Sequence, residues 1–115
     1  MANNFKNAFG TSIGTTQATA TSVYTANVSA TPLNSILIEM DACNTSTTTL
    51  QFSAMIYDSS STSEYHIIKN APIPAGGTLK VVDGQKIVLN GDDEIRVYAS
   101  AANVDVIVSI LEDVT

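Results

Sequence analysis

The sequence predicts an all-β protein: an antiparallel two-sheet β-sandwich, immunoglobulin-like or jelly-roll-like, of about eight strands behind an extended N-terminal arm. Three observations carry that reading. From Val23 onward, apolar residues recur with a period of two, the signature of half-buried strands. Thr and Ser fill the polar positions while charged residues make up only 14% of the chain, which suits pleated surfaces better than long solvated helices. Short β-rich runs at Leu79 to Val82, Ile87 to Leu89 and Ile95 to Tyr98 are punctuated by Gly76-Gly77, Asp83-Gly84 and Asn90-Gly91. Asp-Gly and Asn-Gly are strong hairpin signals, so this stretch reads as a β-meander.

Residues 1–22 differ from the rest. They hold Phe5 and Phe9, several Asn, Gly10 and Gly14, then a low-complexity run from Thr15 to Ser22. No helical spacing is present, and the segment reads as an extended arm with a short strand near Ser12, Ile13 or Val23. Two exposed phenylalanines cost about 2 kcal/mol each, so they fold onto the protein's own core or dock on a neighbouring subunit. Residues 23–115 read as the sandwich domain. Ile36, Ile38, Met40 and Ala42 alternate with Leu37, Glu39 and Asp41. Leu50, Phe52, Ala54 and Ile56 alternate with Gln51, Ser53, Met55 and Tyr57, and Val104, Val106, Val108 and Ile110 with Asp105, Ile107, Ser109 and Leu111. Loops fall at 30–34, 44–48, 58–63 and 72–77 by composition. The expected core is Ile36, Ile38, Met40, Leu50, Phe52, Ile56, Leu79, Val81, Ile87, Leu89, Ile95, Val97, Val106, Val108 and Ile110.

Some expected outer faces are apolar as well. Ile107 and Leu111 lie opposite Val106 and Val108, and Ile68 and Val82 break alternation in the same way. A strand apolar on both faces is covered on both, which points to a subunit contact or to a cover by the arm. Phe5, Phe9, Ile13, Ile107 and Leu111 are therefore the candidate interface residues, and a homo-oligomer is expected.

At 115 residues the chain is one domain. Its net charge is −6, and Lys6, Lys69, Lys80, Lys86 and Arg96 are scattered, so no phosphate-binding footprint for nucleic acid is expected. No early segment has the form of a secretory signal, and no run is long enough for a membrane span. The single Cys43 fits synthesis in a reducing cytoplasm. The acceptor patterns at Asn27 and Asn44 read as accidental in so Ser/Thr-rich a chain.

Reactive groups are sparse. His66 is the only histidine and lacks the partners that catalysis or zinc binding requires. Cys43 reads as a small hydrophobe at a strand end. Asp92-Asp93-Glu94 is the densest carboxylate group; it reads as a turn, with calcium as the other reading, though EF-hand spacing is absent. No phosphate-binding glycine loop and no G-x-S-x-G nucleophile motif occur. No catalytic residue, cofactor or metal is assigned.

The segments I-I-K-N-A-P-I-P-A-G-G-T-L at 67–79, K-I-V-L-N-G-D-D-E-I-R-V at 86–97 and V-D-V-I-V-S-I-L-E at 104–112 resemble a family of small phage virion proteins. The N-F-K-N-A start at Asn4 to Ala8, Ile13-Gly14-Thr15 and Val23-Tyr24-Thr25 are similar too. The resemblance implies a particle component made in the host cytoplasm: a capsid decoration (cement) protein, or a neck or tail accessory. It implies the major capsid protein or other virion proteins as partners and, by analogy with decoration proteins, a trimer. It carries no catalytic residue. Two other classes fit the sequence less well. A receptor- or carbohydrate-binding module wants aromatic platforms, and here there are no Trp and four scattered Tyr; a small hydrolase wants an activated nucleophile, and no motif for one appears.

Overall fold

Eight strands form two four-stranded antiparallel sheets in a computed structural model that describes residues 4–26 and 34–114. They are β1 (Asn4–Gly10), β2 (Thr21–Thr25), β3 (Asn34–Asn44), β4 (Leu50–Asp58), β5 (Ser63–Ile73), β6 (Thr78–Leu89), β7 (Glu94–Ala99) and β8 (Val104–Val114). Sheet A runs β1-β8-β3-β6 and sheet B runs β2-β7-β4-β5. Only β4 and β5 are consecutive strands that pair within one sheet. Every other connection crosses from one sheet to the other. Four-on-four with this order is the jelly roll, two interlocked Greek keys, and it decides between the two sandwich classes.

The expected meander is corrected by this topology. Leu79 to Val82 and Ile87 to Leu89 are two halves of one strand, β6, and both pair with β3. Asp83-Gly84 reverses nothing. Residues 84–86 loop out opposite Ile38, because Asp83 partners Glu39 while Ile87 already partners Leu37. Gly84 and Lys86 take positive φ of 79° and 64° there, the left-handed backbone that an Asp-Gly pair supplies for a bulge as readily as for a turn. Asn90-Gly91 likewise begins a crossover from sheet A to sheet B.

The same irregularity corrects part of the expected core. β3 shifts register between Leu37 and Glu39 against both β6 and β8. Its phase therefore slips by one residue at Ile38, and Ser35, Leu37, Met40, Ala42 and Asn44 all face inward and are buried. Ile36 and Ile38, expected inside, lie half-buried outside the core. Met40, Leu50, Phe52, Leu89, Ile95, Val97, Val106, Val108 and Ile110 are buried in the core as expected. Ile56, Leu79, Val81 and Ile87 pack against it from partly exposed positions.

Residues 4–22 are extended over much of their length, but they belong to the sandwich. β1 pairs with β8 over seven uninterrupted residues, and β2 pairs with β7, so residue 22 lies inside a strand. Between them Ile13 is 1% exposed and plugs one end of the core, its N–H donating to the Ala102 carbonyl. Ile13 is therefore a core residue and is removed from the interface set. A short 3₁₀ turn at Gln17–Thr19, closed by a reciprocal Thr16–Thr19 cap, follows. Gly14 is obligatory beside it, since a Cβ there would stand 1.9 Å from the Thr19 carbonyl oxygen.

Two buried polar side chains tie the crossing loops together, one at each end. Asn44 donates through Nδ2 to the carbonyls of Thr48 and Ile73, each at 2.8 Å, and accepts from Ser46 N–H and Oγ. At the other end Asp93 accepts from Asn90 N–H at 3.0 Å and from Ser59 N–H at 3.1 Å, while its backbone carbonyl takes Ala26 N–H. Buried polar groups are tolerated when satisfied in this way. Asp93 thus acts as the turn residue expected of Asp92-Asp93-Glu94. Asn44 is fully buried and its amide is committed, so this acceptor pattern is accidental; Asn27 lies outside the described residues.

Phe52 is fully buried at the centre of β4. Phe52→Ala is expected to cost about 3–5 kcal/mol in urea denaturation, and a loss below about 1 kcal/mol would contradict its placement. Deleting residues 1–22 removes β1, Ile13 and part of β2, so the truncated chain should lose the cooperative thermal transition that the whole chain shows. Retention of a wild-type melting temperature would show those strands to be dispensable. Gly84→Ala meets no atom, so its expected cost of about 1–2 kcal/mol comes from the left-handed backbone alone.

Candidate functional site

The two outer faces of the sandwich are built on opposite plans. On sheet B the outward residues form their own cover. Met55, pointing out of β4 between Arg96 of β7 and His66 of β5, is fully buried yet separate from the main core. Arg96 makes that possible. Its Nη1 donates to Glu64 Oε2 at 2.9 Å and its Nε to Glu94 Oε1 at 3.0 Å, while the guanidinium lies 3.9 Å from the Tyr57 ring centroid. Gln17 Nε2 adds a bond to Glu64 Oε1 at 3.0 Å. His66 Nε2 and Tyr98 Oη are 3.0 Å apart with their rings edge-to-face. Long polar side chains laid flat shield apolar surface in this way.

The bonds from Gln17, and then from Arg96, hold the Glu64 carboxyl below its ordinary range against the effect of burial. Arg96 first, then Ser22, does the same for Glu94. His66, the only histidine, is a strand residue paired with a phenol.

Among the described residues sheet A has no such cover. Alternation on β1 sends Ala8 toward the core, and Phe5, Asn7 and Phe9 outward. Antiparallel pairing then sets outward residues side by side. Phe5 faces Leu111, Leu111 faces Ile36, and Ile36 faces Val88. One apolar row therefore crosses all four strands. A second row runs Phe9, Ile107, Asp41 and Lys80, and between the two lie Asn7, Ser109, Glu39 and Asp83. Phe5 is 80% exposed, Phe9 65%, Val88 58% and Ile107 48%. Of the five large hydrophobic residues that are exposed among those described, four stand on this face, and Tyr65 is the fifth.

Charge on the face is one-sided. Glu39, Asp41, Asp83 and Asp105 point outward and Lys80 is the cation among them, 3.8 Å from Glu39 and 3.9 Å from Asp41. The Glu39 carboxyl is raised above its usual range, chiefly by its hydrogen bond with Asp41. Shallow depressions flank the β1–β8 ladder, one lined by Phe5, Asn7 and Ser109 and one by Phe9, Thr11 and Ile107. An apolar band rimmed by polar residues is the character of a contact surface.

The structure thus gathers four of the five candidate interface residues, Phe5, Phe9, Ile107 and Leu111, onto one face, and sends Ile13 into the core. Sequence reasoning missed Ile36 and Val88. The signal available for them was the doubly apolar run Ile36-Leu37-Ile38, which alternation resolves to the wrong face unless the bulge is known. Among the described residues no group of three or more metal-ligating side chains converges, and Cys43 is half-buried and unpaired.

The Arg96 network generates a pH prediction. Glu64 and Glu94 are held below their ordinary value of 4.5. Their contribution to stability is fully present above that value and disappears as pH falls through the lowered native values. Arg96→Met should therefore destabilise the protein at neutral pH, and the gap to wild type in urea denaturation should shrink below about pH 4. A gap that stays constant on acidification would show that Arg96 acts through packing alone.

In comparisons with known proteins, no family model, no curated protein and no solved structure matches this chain.

Proposed function

We propose that this chain is a non-enzymatic structural protein of a phage particle, a capsid decoration protein that settles on the outer shell through the outer face of sheet A. One observation carries the reading: the row Phe5–Leu111–Ile36–Val88 leaves apolar surface open across a whole sheet, while the opposite sheet closes over its own Met55. One face covered by Arg96, Tyr57 and Gln17 beside another left apolar supports a partner for the uncovered one. The resemblance of residues 67–112 to small phage virion proteins gives that partner its class. Jelly rolls serve capsid and lectin domains alike, so the architecture is compatible with the reading without selecting it.

The chemistry of the face describes the complementary site. It has an apolar strip to receive Phe5, Leu111, Ile36 and Val88, and basic residues to meet Glu39, Asp41, Asp83 and Asp105. A lattice presents that site in many copies, so modest contacts suffice when several units are linked. The carbohydrate-binding alternative has less to work with. The Tyr57 ring is occupied by Arg96 and Tyr98 by His66, which leaves Tyr65 as the exposed platform.

The test is binding of the purified protein to shells stripped of it. Val88→Asp and Leu111→Asp place a charge in a contact that must dry on docking. Each should weaken shell binding by at least about tenfold with the circular dichroism spectrum unchanged. Unaltered binding by both variants would remove this face from the proposal. Copy number in intact particles decides location: parity with the major capsid protein places the chain on the shell, and the few copies of a neck or tail part would move it there.

A further inference from the structure

Among the described residues, each sheet of the jelly roll ends in strands with one unpaired edge, an invitation to pair with another chain that proteins ordinarily block with proline, lysine, bulges or shortness. Three of the four edges here are blocked. β2 has five residues and a register shift at Val23. β5 carries Lys69, Pro72 and Pro74 beside its end, and two register shifts. β6 carries Lys80, Lys86 and the bulge at Gly84. β1 is different. It is regular through all seven pairs with β8, contains no proline, and among the described residues pairs with β8 alone. Its one charge, Lys6, lies 3.9 Å from Glu112 of the same protomer.

We propose that β1 pairs antiparallel with β1 of a second copy about a two-fold axis at Asn7, joining the two sheets A into one eight-stranded sheet. The strand Asn4–Gly10 reads N-F-K-N-A-F-G, and its pattern is self-complementary about its centre. With Asn7 opposite its own symmetry mate, Phe5 falls opposite Phe9 of the second copy and Phe9 opposite Phe5. Lys6 falls opposite Ala8, so no like charges meet. Faces must match across a joined sheet, since a one-residue slip would set outward Phe against inward Ala. Among the registers that keep the faces, this one uses all seven residues and pairs both phenylalanines. Aromatic cross-strand pairs are among the favourable ones, and these two rings are the most exposed large hydrophobic side chains described.

The two-fold geometry also separates the occupant from the alternatives. Of the outward carboxylates, Glu39, Asp41 and Asp83 sit on β3 and β6, away from the β1 edge, and Asp105 on β8, so joining edges brings together the least charged strand of sheet A, where stacking face on face would oppose carboxylates. A self-paired edge is isologous and closes at two copies, which departs from the trimer expected by resemblance. The dimer carries both apolar rows side by side on one continuous sheet and doubles the docking surface. The inference stands independently of the virion reading: a monomer that binds shells would sink it and leave docking intact, and a dimer that ignores shells would do the reverse.

Sedimentation equilibrium of the full chain across a micromolar-to-millimolar series tests it, the expected mass rising to twice the chain's 12.1 kDa. Phe5→Lys/Phe9→Lys sets lysine opposite lysine and should lower the association constant at least about tenfold. Phe5→Lys/Phe9→Glu sets lysine opposite glutamate in the same register and should restore the dimer. Both positions are exposed, so the circular dichroism spectrum should hold in each variant, and Val88→Lys at the far edge should leave the mass unchanged. Asn7→Cys, combined with Cys43→Ser, should form a disulfide-linked dimer on mild oxidation, because directly opposed strand residues lie within disulfide reach. A monomer at every concentration, a trimer, a doubly lysine-substituted chain that keeps the wild-type mass, or an opposite-charge variant that fails to re-form the dimer would each overturn the proposal.

Discussion

The bulge at Ile38 of β3, opposite which residues 84–86 of β6 loop out, is the constraint on which the rest of this structure depends. It slips the phase of β3 by one residue, so that Leu37 and Met40 both enter the core across an interval that simple alternation forbids. The cost falls on Ile36 and Ile38, which are displaced to the outside. Once Ile36 faces outward it completes the row from Phe5 through Leu111 to Val88. A backbone irregularity, accommodated on β6 by the left-handed conformation at Gly84, thereby converts a sheet with two apolar ends into a sheet with an apolar band. Bulges that re-aim side chains at a working surface are common in β-proteins.

The contrast between the two outer faces follows from what each strand can offer its neighbours. Sheet B places Glu64, Glu94 and Arg96 within reach of one another around Tyr57. The arginine is multiply bonded and ring-stacked, so it is held flat and can shield Met55. Exposed single ion pairs contribute little, and the value of this one lies in the shielding. Sheet A places its carboxylates beside one another with Lys80 between them, and its phenylalanines on the edge strand with no long polar side chain among the described residues to fold over them. The asymmetry is a property of composition by row, which only pairing register creates.

The connectivity has its own consequence. A chain that changes sheet at nearly every loop places backbone polar groups at both ends of the sandwich, and these must be satisfied. Asn44 and Asp93 do so, each joining segments far apart in sequence: Asn44 reaches Ile73 across β4 and β5, and Asp93 reaches Ser59 across β5 and β6. Tyr24 adds a third tie, from sheet B to sheet A, donating to Glu112 and accepting from Ser35. These contacts hold the core closed while the outer face of sheet A stays free.

What the sequence by itself determined was the class of the fold and most of its interior. Alternation is a local property, one residue's face following from the last, so β4, β7 and β8 and the buried Phe52, Val97, Val106 and Ile110 could be read directly. The apolar outward positions Ile107 and Leu111 were legible for the same reason. What only the tertiary structure decided was which strands are neighbours. Asp83-Gly84 supports a bulge or a turn with the same backbone, and the choice is made by β3 lying alongside. Residues 4–22 look like a loose arm because β1's partner is β8, a full chain length away, and no local signal records so distant a pairing. Ile36 and Val88 join Phe5 and Leu111 through pairings equally remote in sequence. Periodicity tells which way a side chain points; only the fold tells what stands next to it.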